Sequence, residues 1–347
     1  MSNDIIKKYS TENLSENEKI FARQYFSYME REFNRLNMNR VEEILDGFFY
    51  DTIKILKTSD ENIGDKSPIL VCLVKNELRR MKNFFTHYRK IGVERFAIID
   101  NDSEDGTREF CLAQKDADVF LITQPFSSSR HVSWVNKVLC HYGYNRWYLS
   151  VDADEFLDYI ESENMEIQAV VRFAEKNSLH RILATQVDFY SAKNLFAFSN
   201  DELPWDALKY FDADSYEIKD SQLYPLMVGG PRKRVLNTYS VLSKYPLFYL
   251  RPTDVLTSMH YFYPYNDNFK SPCLMILKHY EFINGADKRK MERIIRNENY
   301  ASKSKEYKLM WQALQNLDET TFLYERSATY NSSQDLKALA FLSSIKG

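Results

Sequence analysis

Cysteine is sparse. The 347-residue chain has four, Cys72, Cys111, Cys140 and Cys273, widely spaced and with no Cys-x-x-Cys pair. Three of them lie in apolar or helical patterns, as reduced core residues of a cytosolic protein do. The six histidines are scattered too, so no zinc-ligand cluster is visible. No apolar run approaches the roughly 18 residues that a membrane-spanning helix needs, and residues 1–8 lack the apolar core of a signal peptide. Charge of one sign is also missing. The net charge of −3 and a pI near 6.1 leave no footprint for nucleic-acid binding. There is no Gly-x-Gly-x-x-Gly and no Gly-x-x-x-x-Gly-Lys-Ser/Thr, so the dinucleotide fingerprint and the P-loop are absent. The expectation is a cytoplasmic protein, at most peripheral to the inner face of the membrane, with no nucleic-acid partner.

What is present is a core. Apolar residues make up 44% of the chain and charged residues 27%, enough to form one large domain or two ordinary ones and too much for global disorder. The informative stretch is 147–156, Trp-Tyr-Leu-Ser-Val-Asp-Ala-Asp-Glu-Phe. It reads as a buried strand ending in an acidic knuckle. Carboxylates at Asp152 and Asp154 share a face of an extended chain. Anions that close repel unless a cation lies between them or one is protonated. Hard divalent ions prefer such oxygens and bridge them to phosphates. The competing reading is a solvated acidic turn that caps the next helix.

Residues 1–60 are polar and helix-like, with Ile20, Phe21, Tyr25, Phe26, Met29 and Phe33, then Val41, Ile44, Leu45 and Phe48, at helical spacing. Two or three helices packed on the main domain are expected, followed by a linker over 58–67. From Pro68 onward strands and helices alternate. Strands are expected at 69–74, 96–99, 117–122 and 147–151, with helices at 78–90 and 132–142. That alternation predicts βαβ units and a parallel sheet, in which ligands bind outside the carboxyl ends of the strands. Three polar clusters fall at those ends: Asn76-Glu77, Asp100 to Asp105, and Asp152 to Glu155.

Farther on, a helix is expected at 167–175 and a strand at 181–190, with Asp188 near its end. Residues 228–235 carry glycines followed by Arg232, Lys233 and Arg234. They read as a mobile basic loop able to hold phosphate oxygens, or as an exposed turn with solvated charges. His260 and His279 each follow an apolar run and are either strand-end ligands or ordinary core or surface histidines. Helices are expected again at 288–300, 304–316 and 336–345.

The residues from 68 to 160 resemble a family-2-type glycosyltransferase of the GT-A fold. The likeness rests on Asn76-Glu77, on His87-Tyr88 with Gly92-Val93, and on Asp100-Asn101-Asp102-Ser103-Glu104-Asp105-Gly106-Thr107. Trp147 and then Asp152-Ala153-Asp154-Glu155-Phe156 complete it. Gly230 to Arg234, His260 and His279-Tyr280 resemble later blocks of the same subgroup less sharply. The resemblance implies an α/β fold with a Rossmann-like, mostly parallel sheet over 67–285, leaving helical extensions at 1–66 and 286–347. It implies transfer of a sugar from a UDP- or GDP-linked donor to a glycan or lipid-linked acceptor, with inversion and with Mn²⁺ or Mg²⁺. Glu77, Asp100 and Asp102 would lie at the nucleoside, and Asp152 at the ribose or a metal-bound water. Asp154 would bind the metal, with His279, or else His260, as a third metal ligand or a diphosphate contact. Arg232 and Arg234 would neutralise the leaving diphosphate.

Glycosyl transfer also needs a base for the acceptor hydroxyl. Asp188 is the preferred candidate, with Glu155 and Asp212 or Asp214 behind it. Glu155 is alternatively an orienter of the metal site or an acid at a helix N-terminus. Two other functions remain open on the sequence. One is a nucleotidyltransferase or metal phosphohydrolase, which also places acids at strand ends. The other is a non-catalytic scaffold that docks a glycan-assembly partner or a membrane surface through its helical ends.

Overall fold

The structure, a computed structural model, describes residues 5–193, 205–281 and 321–345. Two helices come first. α1 (Glu16–Glu32) starts at Ser15, whose side chain forms a capping box with Glu18, and α2 (Met38–Tyr50) starts at Asn37, whose side chain accepts from the Arg40 N–H. Their apolar stripes meet in a core of Phe21, Tyr25, Met29, Ile44, Leu45 and Phe48 that also takes in Val132 and Cys140.

The strands follow as β1 (Lys54–Lys57), β2 (Ile69–Val74), β3 (Arg95–Asp100), β4 (Ala117–Leu121) and β5 (Arg146–Ser150). Next come β6 (Glu155–Asp158), β7 (Arg181–Asp188), β8 (Tyr210–Asp212), β9 (Tyr216–Lys219) and β10 (Leu226–Gly229). The last are β11 (Ser243–Leu250), β12 (Val255–Ser258), β13 (Tyr261–Tyr263), β14 (Cys273–His279) and β15 (Ser327–Thr329). Between them lie α3 (Leu78–Lys90), α4 (Thr107–Leu112), α5 (Ser128–Tyr142), α6 (Ile167–Lys176) and α7 (Gly230–Leu236).

Nine strands form one sheet in the order β1-β4-β3-β2-β5-β11-β7-β14-β6. The strands β4, β3, β2, β5, β7 and β14 run one way, and β1, β11 and β6 run against them. The sheet is thus mostly parallel, with helices packed on it, and the α/β architecture expected from the alternating pattern is the one the chain adopts. β3, β7 and β14 are buried along their whole length, as strands covered on both faces must be.

Four local expectations change. β1 lies within the stretch read as a helical extension, yet it is a strand that pairs antiparallel with β4 and edges the main sheet. The acidic knuckle leads into strand β6 rather than a helix. The basic stretch is helix α7, because Pro231 in its first turn is pre-set for a helical start. Near the end, Ser333–Ala338 is a short 3₁₀ turn in place of a helix over 336–345. The helices expected at 288–300 and 304–316 lie outside the described residues. Among the described residues, no helix is long and apolar enough to cross a membrane.

Candidate active site

The sheet directions decide where the chemistry gathers. β2, β3, β5, β7 and β14 all end at one edge, while β6 and β11 begin there because they run the other way. Asp100 is paired with Val74 across β3 and β2, and β5 is the next strand over. Asp100 and Asp152 therefore stand two strands apart, roughly 10 Å at the usual strand spacing. Asp154, Glu155, Asp188, Lys244 and His279 complete the same edge. An open depression of about 520 Å³, lined by Glu61, Arg89, Glu94, Gln114 and Asp116 among others, lies where β3 and β4 begin and holds none of these acids.

The residues expected at the nucleoside are each held by close partners. Asp100 is buried and accepts from the Ser103 N–H at 3.3 Å and from Arg108 Nε at 2.7 Å. The same guanidinium reaches Asp102 at 2.8 Å. Arg108 was not singled out in the sequence, although its place two residues after Gly106 on the first turn of α4 aims it back at the loop. Glu77 donates its N–H to Thr107 Oγ1 at 2.8 Å, and its carboxylate pairs with Arg80 at 2.6 Å. Asn101 holds the loop by donating to the carbonyls of Ile122 and Gln124 at 3.1 and 2.9 Å.

The central turn holds its three acids differently. Glu155 is fully buried; its carboxylate accepts from the Asp152 N–H at 2.9 Å and pairs with Lys244 Nζ at 2.6 Å. Burial pushes the Glu155 carboxyl above its ordinary value, against the pull of Lys244. Lys244 also lies 2.7 Å from Asp152 Oδ2. Burial alone would lower the Lys244 pKa, but the two carboxylates raise it, so it stays an ammonium. Asp154 Oδ2 faces His279 Nε2 at 3.8 Å.

On the far side, Asp188 and His279 are directly paired across β7 and β14. The ring Nδ1 lies 2.8 Å from Asp188 Oδ1. Arg232 donates to Asp188 from Nε at 2.8 Å and from Nη2 at 2.7 Å, and it also pairs with Glu281 at 3.0 Å. Burial would raise the Asp188 carboxyl, but Arg232 and His279 hold it well below the usual carboxylate range. For His279, burial and Arg232 act to lower the pKa, and Asp154 and Asp188 outweigh them and raise it. Trp205, Phe156 and Tyr280 pack against one another, with centroids 5.0–5.3 Å apart.

Several expected roles do not fit these positions. Asp188 is not poised as a base, because both its oxygens are bound and its proton affinity is depressed. Glu155 is sealed beneath the turn, out of reach of an acceptor hydroxyl. Arg234 turns to the buried Asp212, at 2.9 and 3.0 Å, and stacks on Tyr324. The other base candidate, Asp214, sits outside on Tyr324 and Arg326. His260 directs Nδ1 to the Ser243 carbonyl at 2.9 Å. Among the described residues no three His, Cys, Asp or Glu side chains are assembled to hold a metal. Asp154 and His279 are the pair whose donor atoms could share one ion. A histidine whose second ring nitrogen meets a carboxylate, here Asp188, is the usual setting for such a ligand. Two protein ligands suit a hard ion that takes the rest of its shell from phosphate oxygens and water.

No known protein-family profile matches the chain. Over 106 residues it is 29% identical to a glycosyltransferase family 92 protein of Oryza sativa subsp. japonica, a match covering 29% of this chain and 18% of that relative. The chain thus spans well under two thirds of the relative's length. Its shape also aligns with residues 1–349 of S. aureus TarS, over 73% of this chain and 72% of that one, at 10% identity. The TM-score is 0.29, at which the likeness carries no weight. At this breadth, the chain is an α/β protein similar in part of its sequence to a glycosyltransferase.

Proposed function

We propose that the chain transfers a sugar from a UDP- or GDP-linked donor to a glycan or lipid-linked acceptor, as a family-2-type enzyme of the GT-A fold. The observation that carries this reading is the meeting of Asp100, Asp154 and His279 at one sheet edge, as the Asp-Asn-x-Ser-x-Asp-Gly-Thr and Asp-x-Asp-Glu-Phe segments imply. The Asp100–Arg108–Asp102 knot and Glu77 form the nucleoside end. Asp154 and His279 hold Mn²⁺ or Mg²⁺, which when bound neutralises charge building on the leaving diphosphate. Arg232 lies beside His279 and adds a guanidinium at the same end. Asp188 works by fixing His279 and Arg232, and Glu155 by closing the acidic turn. The reaction inverts the anomeric centre, and the acceptor is a glycan or lipid-linked chain reached from the inner face of the membrane, in company with a glycan-assembly partner.

The test is a screen of UDP- and GDP-sugars for nucleotide release, with and without Mn²⁺, beside thermal shift with UDP and GDP. Release that needs both sugar donor and Mn²⁺ supports the reading. Hydrolysis of free nucleotide with no sugar requirement would favour the phosphohydrolase class instead. No shift and no release with any nucleotide would favour the scaffold.

A further inference from the structure

The turn between β5 and β6 is clasped by a residue that the cation reading leaves unexplained. Lys244 stands near the start of β11, which reaches this edge because it runs against β5 and β7. Its side chain is 4% exposed. Its Nζ touches Asp152 Oδ2 at 2.7 Å and Glu155 Oε1 at 2.6 Å. Glu155 accepts from the Asp152 N–H at 2.9 Å and from the Gln186 amide, so the clasp is anchored on both sides. The two aspartates of one tripeptide are therefore treated differently. Asp152 is joined to an ammonium that the protein itself supplies, and Asp154 faces the His279 ring.

We infer that Lys244 is a positioning residue that keeps Asp152 out of the shell of the divalent ion, leaving Asp154 as the carboxylate ligand. This rests on the cation–diphosphate reading given above. An ammonium at hydrogen-bond distance competes with a metal for the same carboxylate oxygen. It also adds a positive charge to the same acidic turn. A free divalent ion consequently binds poorly until a diphosphate brings its own negative charge. The site takes metal and nucleotide together and resists loading by metal alone.

The test uses Mn²⁺ alone on the full chain, with free Mn²⁺ read by electron paramagnetic resonance. The native chain is compared with Asp152→Asn, Asp154→Asn, the pair Lys244→Met with Glu155→Gln, and that pair carrying Asp152→Asn. The pair removes one charge of each sign, so the buried turn stays balanced; circular dichroism checks its fold. Asp152→Asn in the native background should weaken Mn²⁺ binding far less than Asp154→Asn does. The pair should bind Mn²⁺ at least about tenfold more tightly than the native chain, and adding Asp152→Asn should remove that gain. A folded pair with no gain would overturn the inference. So would an Asp152→Asn loss as large as that of Asp154→Asn, a comparison that decides the matter even if the pair does not fold. UDP and GDP form a separate arm. If neither tightens Mn²⁺ on the native chain, the cation–diphosphate reading fails, whereas the cycle in Mn²⁺ alone reports on Lys244 itself.

Discussion

Asp188 and His279 sit opposite each other on neighbouring parallel strands, with Oδ1 2.8 Å from Nδ1. The contact fixes the ring so that Nε2 faces Asp154. It also sets Asp188 between the imidazole and the Arg232 guanidinium, which grips the same carboxylate with two hydrogen bonds.

Replacing Asp188 by Asn keeps the shape and removes the charge. Arg232 then loses its main buried counter-ion, which costs about 3–5 kcal/mol in such settings. Sugar transfer should fall by about 10–100-fold as the ring and the guanidinium lose their orientation. Urea denaturation reads the first effect and nucleotide release the second. Unchanged stability with unchanged turnover would refute the role given to Asp188.

Asp154→Ala should abolish the part of the thermal shift with UDP or GDP that depends on Mn²⁺. Asp100→Ala should weaken the nucleotide shift whether or not Mn²⁺ is present, because the proposal puts Asp100 at the nucleoside end. Two variants with the same metal dependence would mean that these carboxylates do not divide the donor between them.

Gly229 has φ +133°, and a Cβ built there would lie 2.1 Å from the Ser215 carbonyl oxygen. Backbone cannot yield as a flexible side chain can. Gly229→Ala should therefore cost at least about 1–3 kcal/mol through strain alone. It should also displace α7 and with it Arg232. A melting temperature equal to that of the native chain would contradict this.

Asp158, at the opposite end of β6 from Glu155, supplies a pH dependence of its own. Burial acts to raise its pKa, but the Lys278 ammonium at 2.8 Å and hydrogen bonds from Ser162 and Tyr330 prevail and lower it. A folded pKa below the unfolded one gives stability above about pH 3.9. That stability is lost as pH falls through the folded value. The urea midpoint of the native chain should drop more between about pH 5 and pH 3 than that of Asp158→Asn. Parallel curves for the two proteins would remove Asp158 from the acid response.

Much of the fold was legible because its signals are local. The apolar run at 69–74 and the helix at 78–90 have the bounds the pattern gives, and α1 and α2 follow their apolar stripes. β1 was missed because a four-residue edge strand, exposed at Lys54 and Ile55 and half-buried at Leu56 and Lys57, has no run of buried residues to announce it. The helix at 230–236 was missed because its glycines and charges look like a loop. Proline in the first turn and the partners of Arg232 and Arg234 override that appearance.

The sequence by itself determined the alternation of strands and helices and the acids at strand ends, since both depend on neighbours within a few residues. Which partner each acid meets was decided only by the tertiary structure. Lys244 comes to Asp152 from 92 positions away and Arg232 to Asp188 from 44. Those contacts exist because β11 runs against its neighbours and α7 folds back over β7. Electrostatic interaction depends on distance in space, and chain order does not record it.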